Sequence, residues 1–288
     1  MNEVLGKQVD YPKYYSPEVL VAVPRKLNRE VFQIDENNLP FTGFDIWHAY
    51  EVSFLTNNGL PVAGVLKMVL PAESPFLIES KSFKLYLNSF NMERFGNSVA
   101  EGVSIVLETI KNDLSKLLKC NVLLSFFDNQ SVFAPFDFSD YQILEKEVDT
   151  ETILFSKFTE TPELLLSEKN LSGEIKVATH LLRSNCKITR QPDWGSTFIR
   201  IKGYKIPTYK GLLQYLVSFR NENHFHEEIC EMIYQRLNII FSPEELMVAC
   251  IYTRRGGVDI CPVRVKSVNF TPKNLCDSEK LSLKLLRQ

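Results

Sequence analysis

The chain has 288 residues, with 33 Lys and Arg against 35 Asp and Glu for a net charge of −2, and it is 44% hydrophobic and 24% charged. That length suits one large domain or two modest ones, of which we read two, and the composition builds a sizeable core and excludes extended disorder. Near-balanced charge with a pI near 6.2 offers no electrostatic footprint for nucleic acid or an anionic membrane, so neither is expected as a direct partner.

Residues 1–45 hold prolines at 12, 17, 24 and 40 and a basic VPRKLNR segment, the pattern of an arm laid over a core. Its opening, MNEVLGKQVDYPKYY, lacks the basic start and apolar run of a signal peptide, and no apolar stretch approaches a membrane span. Six cysteines, at 120, 186, 230, 250, 261 and 276, form no CxxC pair or regular framework and read as reduced thiols. A soluble, cytoplasmic protein is expected.

From Ala49 to Leu70 two alternating runs flank Asn57-Asn58-Gly59, the clearest hairpin turn in the chain. A third extended run, 75–78, leads through Glu79-Ser80-Lys81-Ser82 into helical spacing as far as Phe90. Residues 98–119 place Val99, Val103, Val106, Leu107, Ile110, Leu114 and Leu117 on one helix face, and 120–127 reads as a closing strand. The acidic, aperiodic stretch 128–165 is the expected module boundary. After His180 the order recurs: extended 181–189 and 197–202, helices 209–219 and 227–240, and a hairpin from 246 to 265. Leu87-Asn88-Ser89-Phe90 answers Leu216-Val217-Ser218-Phe219, and Phe95 answers Phe225, so an internal duplication accounts for the repetition. The expected class is α+β, in two tandem modules of antiparallel sheet with helices on one face. We divide the chain into an arm (1–45), a first module (46–140) and a second (141–288).

Cys186 and Asp193 flank Arg190-Gln191-Pro192. Proline fixes its own φ and biases its predecessor away from helix, so two extended arms can bring a thiol and a carboxyl over one substrate. Attack by the thiolate with a proton from the carboxyl is covalent catalysis with general-acid help; a packed thiol beside a solvated carboxylate is the plain alternative. Phe225-His226-Glu227 opens a helix, where a glutamate either caps the helix in water or reads the NH groups of a heterocycle beside the histidine. His224 adds an HxH spacing, but with no further ligand cluster no metal is expected. Glu79-Ser80-Lys81-Ser82 is either a solvated cap or a strand-to-helix junction offering backbone NH groups and a lysine to an anion, with Glu79 as a reader of amidine-like groups. Arg254-Arg255-Gly256-Gly257 is either a solvated turn or one that lets a phosphate approach the backbone. No GxGxxG occurs on a βαβ crossover, so a Rossmann fold is not supported. Each half carries part of these groups, and a complete site requires the halves to meet, within a chain or across a dimer.

Together, LIESKSFKLYLNSFN, SNCKITRQPDWGS, YLVSFRNENHFHE and YTRRGGVDICP strongly resemble the long, two-module form of the QueF family, the NADPH-dependent 7-cyano-7-deazaguanine reductases. The similarity runs from about Leu5 in LGKQVDYPKYY, through VPRKLNR and LPFTGFDIW, to the last hairpin. It implies a tunnelling fold and reduction of the nitrile of 7-cyano-7-deazaguanine (preQ0) to the aminomethyl group of preQ1, a step toward the tRNA nucleoside queuosine. By the resemblance, Cys186 adds to the nitrile carbon as a thioimide and Asp193 protonates the nitrogen. Glu79, His226 and Glu227 hold the deazaguanine, and Ile78 and Ser80 line its pocket. Ser80, Lys81, Arg255 and Gly256 hold NADPH, used twice per turnover, with no metal. A nitrile is a poor hydride acceptor whereas a protonated thioimide is a good one, and the imine that follows must be kept from water. Two other readings stand beside this one: a cysteine-dependent nitrile or amide hydrolase, and a non-catalytic purine- or pterin-binding module. A split site and the sheet edges of such a fold make a homodimer the expected assembly.

Overall fold

The computed structural model describes residues 12–165 and 171–288, so the first part of the LGKQVDYPKYY resemblance lies outside the described residues. The described part of the expected arm, residues 12–45, is not irregular throughout. It contains β1 (Ala22–Pro24), paired with Phe76–Ile78, and a helix, α1 (Lys26–Val31); its last residues already belong to the main sheet. β2 (Thr42–Leu55) and β3 (Pro61–Pro71) form the hairpin about Asn57-Asn58-Gly59. β4 (Phe76–Ile78) runs directly into α2 (Ser80–Asn88). α3 (Val99–Leu118) is capped by Ser98, whose hydroxyl accepts from the Glu101 N–H. Val106, Ile110, Leu114 and Leu118 are each no more than 2% exposed, a stripe worth about 1.5–3 kcal/mol per side chain in burial. Val99, expected on that face, is 45% exposed, because the buried stripe starts further along the helix.

β5 (Leu123–Phe127) then pairs with β3. The connection contributes β6 (Phe133–Ala134), β7 (Gln142–Ile143) and α4 (Leu144–Glu147). The second half runs β8 (Leu171–Cys186), β9 (Pro192–Ile206), α5 (Tyr209–Ser218), β10 (Asn223–His224) and α6 (His226–Phe241). β11 (Glu245–Tyr252), β12 (Val258–Val265), α7 (Lys273–Cys276) and β13 (Leu281–Ser282) complete it. The extended run expected to reach Thr189 stops at Cys186, since 187–191 make the turn, with Arg190 at φ 55°.

The repetition read from sequence is visible in the pairing. In the first half β3 pairs with β2 and β5; in the second β9 pairs with β8 and β11, so each half is a hairpin, two helices and a strand laid on the hairpin's second arm. The halves join edge to edge within one chain. β12 pairs antiparallel with β2 from Val258↔Ala49 to Val265↔Thr42, giving one continuous sheet in the order β10-β8-β9-β11-β12-β2-β3-β5. At this seam Gly43 has no room for a side chain: a Cβ would lie 2.1 Å from the Val263 carbonyl oxygen. Helices α2 and α3 cover one apolar cluster, α5 and α6 the other. The opposite face is closed by Phe136, Phe138 and Tyr141 of the connection and by Phe270 and Leu275, so the short α7 sits on the face for which no helix was expected. Among the described residues no helix is long and apolar enough to cross a membrane, and all six cysteines are free thiols.

A set of buried charges crosses the seam. Arg264 on β12 donates to Asp45 on β2 at 2.8 Å and to Glu231 on α6 at 2.8 and 3.1 Å. From the arm, Arg25 bonds Asp45, and Arg29 donates to Glu231 at 2.7 and 3.0 Å. All five side chains are at most 3% exposed, so water cannot replace a missing partner. Asp45→Ala leaves two guanidiniums under-compensated and is expected to cost about 3–5 kcal/mol, read as a lowered denaturation midpoint; a change below 1 kcal/mol would show the network to be dispensable.

Candidate active site

The ends of several elements meet at one side of the seam: the β4–α2 junction, the β8–β9 turn, the start of α6 and the β11–β12 turn. They enclose a cavity of about 270 Å³. The ten residues that the resemblance assigns to the site all line it, namely Ile78, Glu79, Ser80, Lys81, Cys186, Asp193, His226, Glu227, Arg255 and Gly256, whereas Ser82, Arg254 and Gly257 of the same motifs do not. The two halves thus contribute to one cavity inside a single chain.

Cys186 ends β8. Its N–H donates to the Gln191 carbonyl at 2.8 Å, its carbonyl accepts from the Arg190 N–H at 2.9 Å, and His224 of β10 is its strand partner on the other side. Ser184 pairs with Asp193, so Cys186, two residues further along β8, lies diagonally across from Asp193 on the same face of the hairpin. The thiol is half-buried. Asp193 is 4% exposed. Burial alone raises a carboxyl pKa, but His226, with Nε2 3.4 Å from Oδ2, and the Arg255 guanidinium bonded to Oδ1 reverse this and hold Asp193 below the usual carboxylate range. Arg255 also donates to the Pro192 carbonyl at 3.1 Å and the Gln191 side chain at 2.6 Å. A residue read from sequence as a phosphate donor therefore also clamps the acid.

The cap of α6 is Glu228, not Glu227. Glu228 accepts from the Phe225 N–H at 3.0 Å and from Lys187 at 2.9 Å, and it meets His224 Nδ1 at 3.2 Å. His224 is held between Glu228 and Glu222; burial works against its charge, but those two bonds push it up to about 9, so it is a structural cation. Glu227 is freed from capping and is 3% exposed at the cavity wall. Burial, reinforced by Asp45 and opposed by Arg25 and Arg264, raises its carboxyl to about 8. Glu227 is mostly protonated at neutral pH, where sequence suggested a carboxylate. His226 stacks on Tyr252 with ring centres 3.8 Å apart, and its Nδ1 is buried with no hydrogen-bond partner among the described residues. Glu79 does cap α2, accepting from the N–H of Lys81 at 3.0 Å and of Ser82 at 2.7 Å, and it lines the cavity as well.

Sequence reasoning passed over Trp47, which is 1% exposed at the cavity wall, and Lys84 on α2. The only signal for Lys84 was its place one helical turn after Lys81. One buried group with metal-type donors lies elsewhere: His48, Asp259 and Cys261. Asp259 faces away from Val258 and Ile260, which line the cavity. Its carboxylate bonds His48 Nδ1 at 2.6 Å and the Tyr50 hydroxyl, and Lys284 lies 3.5 Å away as the compensating cation. We read it as a hydrogen-bond knot.

Comparison with known proteins follows this geometry. The family description "Nitrile reductase, 7-cyano-7-deazaguanine-reductase N-term" matches residues 11–126 and "QueF-like protein" matches 192–269. A protein of Dechloromonas aromatica called NADPH-dependent 7-cyano-7-deazaguanine reductase is 41% identical over 271 residues, 94% of this chain and 92% of its own. The chain belongs to the QueF family. QueF relatives of the same name in Coxiella burnetii (strain Dugway 5J108-111), 41% identical over 94% of each chain, and Acinetobacter baumannii (strain ACICU), 38% identical over 94% of this chain and 96% of its own, agree. The crystal structure of an archaeosine synthase QueF-Like in the apo form aligns at 17% identity with a TM-score of 0.30, over 35% of this chain and 99% of that one, too loosely to bear on the fold.

The raised Glu227 carboxyl has a measurable sign. Between pH 4.5 and about 8 the unfolded chain ionises this group while the folded one keeps its proton, so it lowers stability increasingly as pH rises through that window. Glu227→Gln is expected to stabilise the protein by about 1–3 kcal/mol more at pH 8 than at pH 5. Unfolding midpoints at the two pH values, equal in their response to the substitution, would place Glu227 as an ordinary carboxylate.

Proposed function

We propose that the chain reduces the nitrile of 7-cyano-7-deazaguanine to an aminomethyl group with two NADPH per turnover, through a thioimide on Cys186. The carrying observation is that Cys186 and an ionised Asp193, with His226 beside it, line the same seam cavity as Glu79 and Glu227. The cavity is near the lower end of small-molecule sites and its lining mixes apolar walls with a few polar groups, as a purine-sized ligand needs. The cavity-lining Glu227 offers a planar heterocycle a neutral carboxyl able to donate and accept, beside the His226 ring. Glu79, whose oxygens each keep a lone pair beyond the α2 cap, suits the NH edge of the same ring. Trp47, Ile78, Val258 and Ile260 supply the apolar surround.

The ionised state of Asp193 places it first as a base. It takes the Cys186 proton as sulfur bonds to the nitrile carbon, and returns that proton to the nitrile nitrogen, leaving a neutral C=NH on sulfur. The exchange creates no net charge in the cavity. NADPH, when bound, supplies the two hydrides that separate a nitrile from a primary amine. Exposed Lys81 and the turn at Gly256, with φ +54°, present a cation and open backbone where an anionic cofactor would lie, so these residues fit it. The surrounding side chains keep water from the imine. We read the protein as cytoplasmic and homodimeric, with modules 46–140 and 141–288 behind an arm at 1–45. The outer edge of β5, which carries no further strand among the described residues, supports the dimer.

Mixing the protein with preQ0 alone and measuring intact mass tests the reading. An adduct equal to the substrate mass is expected, absent in Cys186→Ser and about 10²–10⁴-fold slower to form in Asp193→Asn. Ammonia release without NADPH oxidation would turn the assignment to a hydrolase, and no adduct at all would leave a binding module. Arg255→Ala removes a cation from Asp193, whose pKa then rises. The acidic limb of the adduct-formation profile should move to higher pH, and an unmoved limb would show that Asp193 is not the titrating base.

A further inference from the structure

The hairpin of β8 and β9 carries both reacting groups, and its register is not uniform. Thr179 pairs with Thr197 but Leu182 pairs with Gly195, so His180 and Leu181 together face Ser196 in a bulge. One extra residue reverses the alternation of side chains for everything beyond it. Val177 and Leu182 accordingly pack in the same helix-side cluster, although an odd number of residues separates them. Without the bulge Arg183 would stand opposite Asp193, and Cys186 would point to the other face of the sheet. The bulge therefore puts thiol and carboxyl on one side.

Side chains from elsewhere hold that bulge. Glu145 accepts from the His180 N–H at 2.8 Å, and the Thr179 hydroxyl accepts from the Leu181 N–H at 3.1 Å. The His180 carbonyl accepts from Arg287 Nη2 at 2.7 Å, and the same nitrogen reaches the Gly195 carbonyl across the hairpin at 3.4 Å. The Arg287 guanidinium also lies 5.7 Å from the centre of the Trp194 ring. Trp194 alternates with Asp193 along β9, so Arg287 acts from the face opposite the cavity. Its neighbours are fixed there too: the Leu283 N–H donates to the Ala134 carbonyl at 2.9 Å, Lys284 lies 3.5 Å from Asp259, and Gln288 lies 3.5 Å from the Cys261 sulfur. A guanidinium that joins a bulged carbonyl to the facing arm opposes the one-residue slip that would carry Cys186 off the cavity face. We propose that Arg287 is a positioning residue for the nitrile chemistry, locking the β8–β9 bulge and with it the register that keeps Cys186 beside Asp193. The inference rests on the nitrile-reductase reading.

Adduct formation by the full chain at saturating preQ0 reads this without cofactor. Arg287→Ala is expected to form the adduct about tenfold or more slowly, the cost of misplacing two reacting groups. Affinity for preQ0, titrated in Cys186→Ser with and without Arg287→Ala, should stay within about threefold, because Glu79 and Glu227 stand on other elements. Amide hydrogen exchange over 179–186 should quicken in Arg287→Ala. Should Arg287→Ala fold poorly, Arg287→Lys carries the same test: it keeps the charge but not the planar fork, and its adduct rate is expected to fall at least about threefold. An adduct rate equal to wild type in both variants, exchange no faster than wild type, or a rate and an affinity that fall in parallel overturns the proposal. No adduct with the wild-type chain instead sinks the reductase reading, and the exchange comparison then still decides whether Arg287 locks the bulge.

Discussion

Three guanidiniums and two carboxylates packed together beneath the β12–β2 seam govern how this molecule is assembled. Arg264 and Asp45 come from the two central strands, Glu231 from α6, and Arg25 and Arg29 from the arm. Removing such groups from water costs several kcal/mol per ion, and only the complete set repays it. The two central strands, α6 and the segment carrying Arg25 and Arg29 are therefore tied together. The segment before β2, which sequence presents as an accessory, supplies two of the three cations at the junction and pairs β1 with β4, the strand that delivers Ile78 and Glu79 to the cavity.

The same junction sets the chemistry. Glu227 lies one helical turn before Glu231 and feels the network's fields; burial and Asp45 outweigh Arg25 and Arg264, and its carboxyl keeps a proton. In the same cavity Asp193 meets His226 and Arg255 and loses one. Two carboxyl groups in one small volume thus occupy opposite protonation states, the separation by which one site runs both proton donation and proton removal. Neither state follows from residue type, and neither half of the chain could establish both.

Much of the local structure was legible because its causes are local. Asn57-Asn58-Gly59 dictates a hairpin by turn chemistry, Ser98 marks the start of α3 by capping, and alternating or helical spacing separates strands from helices. The motif residues were legible one by one, since each short pattern limits what its side chains can do. Less visible was which plain reading held. Glu79 does cap its helix, whereas Glu227 does not, because Glu228 took that place, and nothing in Phe-His-Glu-Glu distinguishes the two before the helix is docked. Arg25 and Arg29 stood in a basic segment without an assigned partner, and only the fold pairs them with β2 and α6. The clamp of Arg255 on Asp193, 62 residues away, likewise exists only through the pairing of β9 with β11.

By itself, then, the sequence determined the element types, the repeated order of hairpin, helices and strand, and the inventory of reactive groups, with a motif set specific enough to name the family. The tertiary structure decided that the halves meet within one chain along β12 and β2, and which carboxyl is charged. It also decided that Lys84 joins the cavity. Periodicity and turn preference act between near neighbours in the chain, whereas desolvation and Coulomb interaction depend on distances in space that folding alone creates.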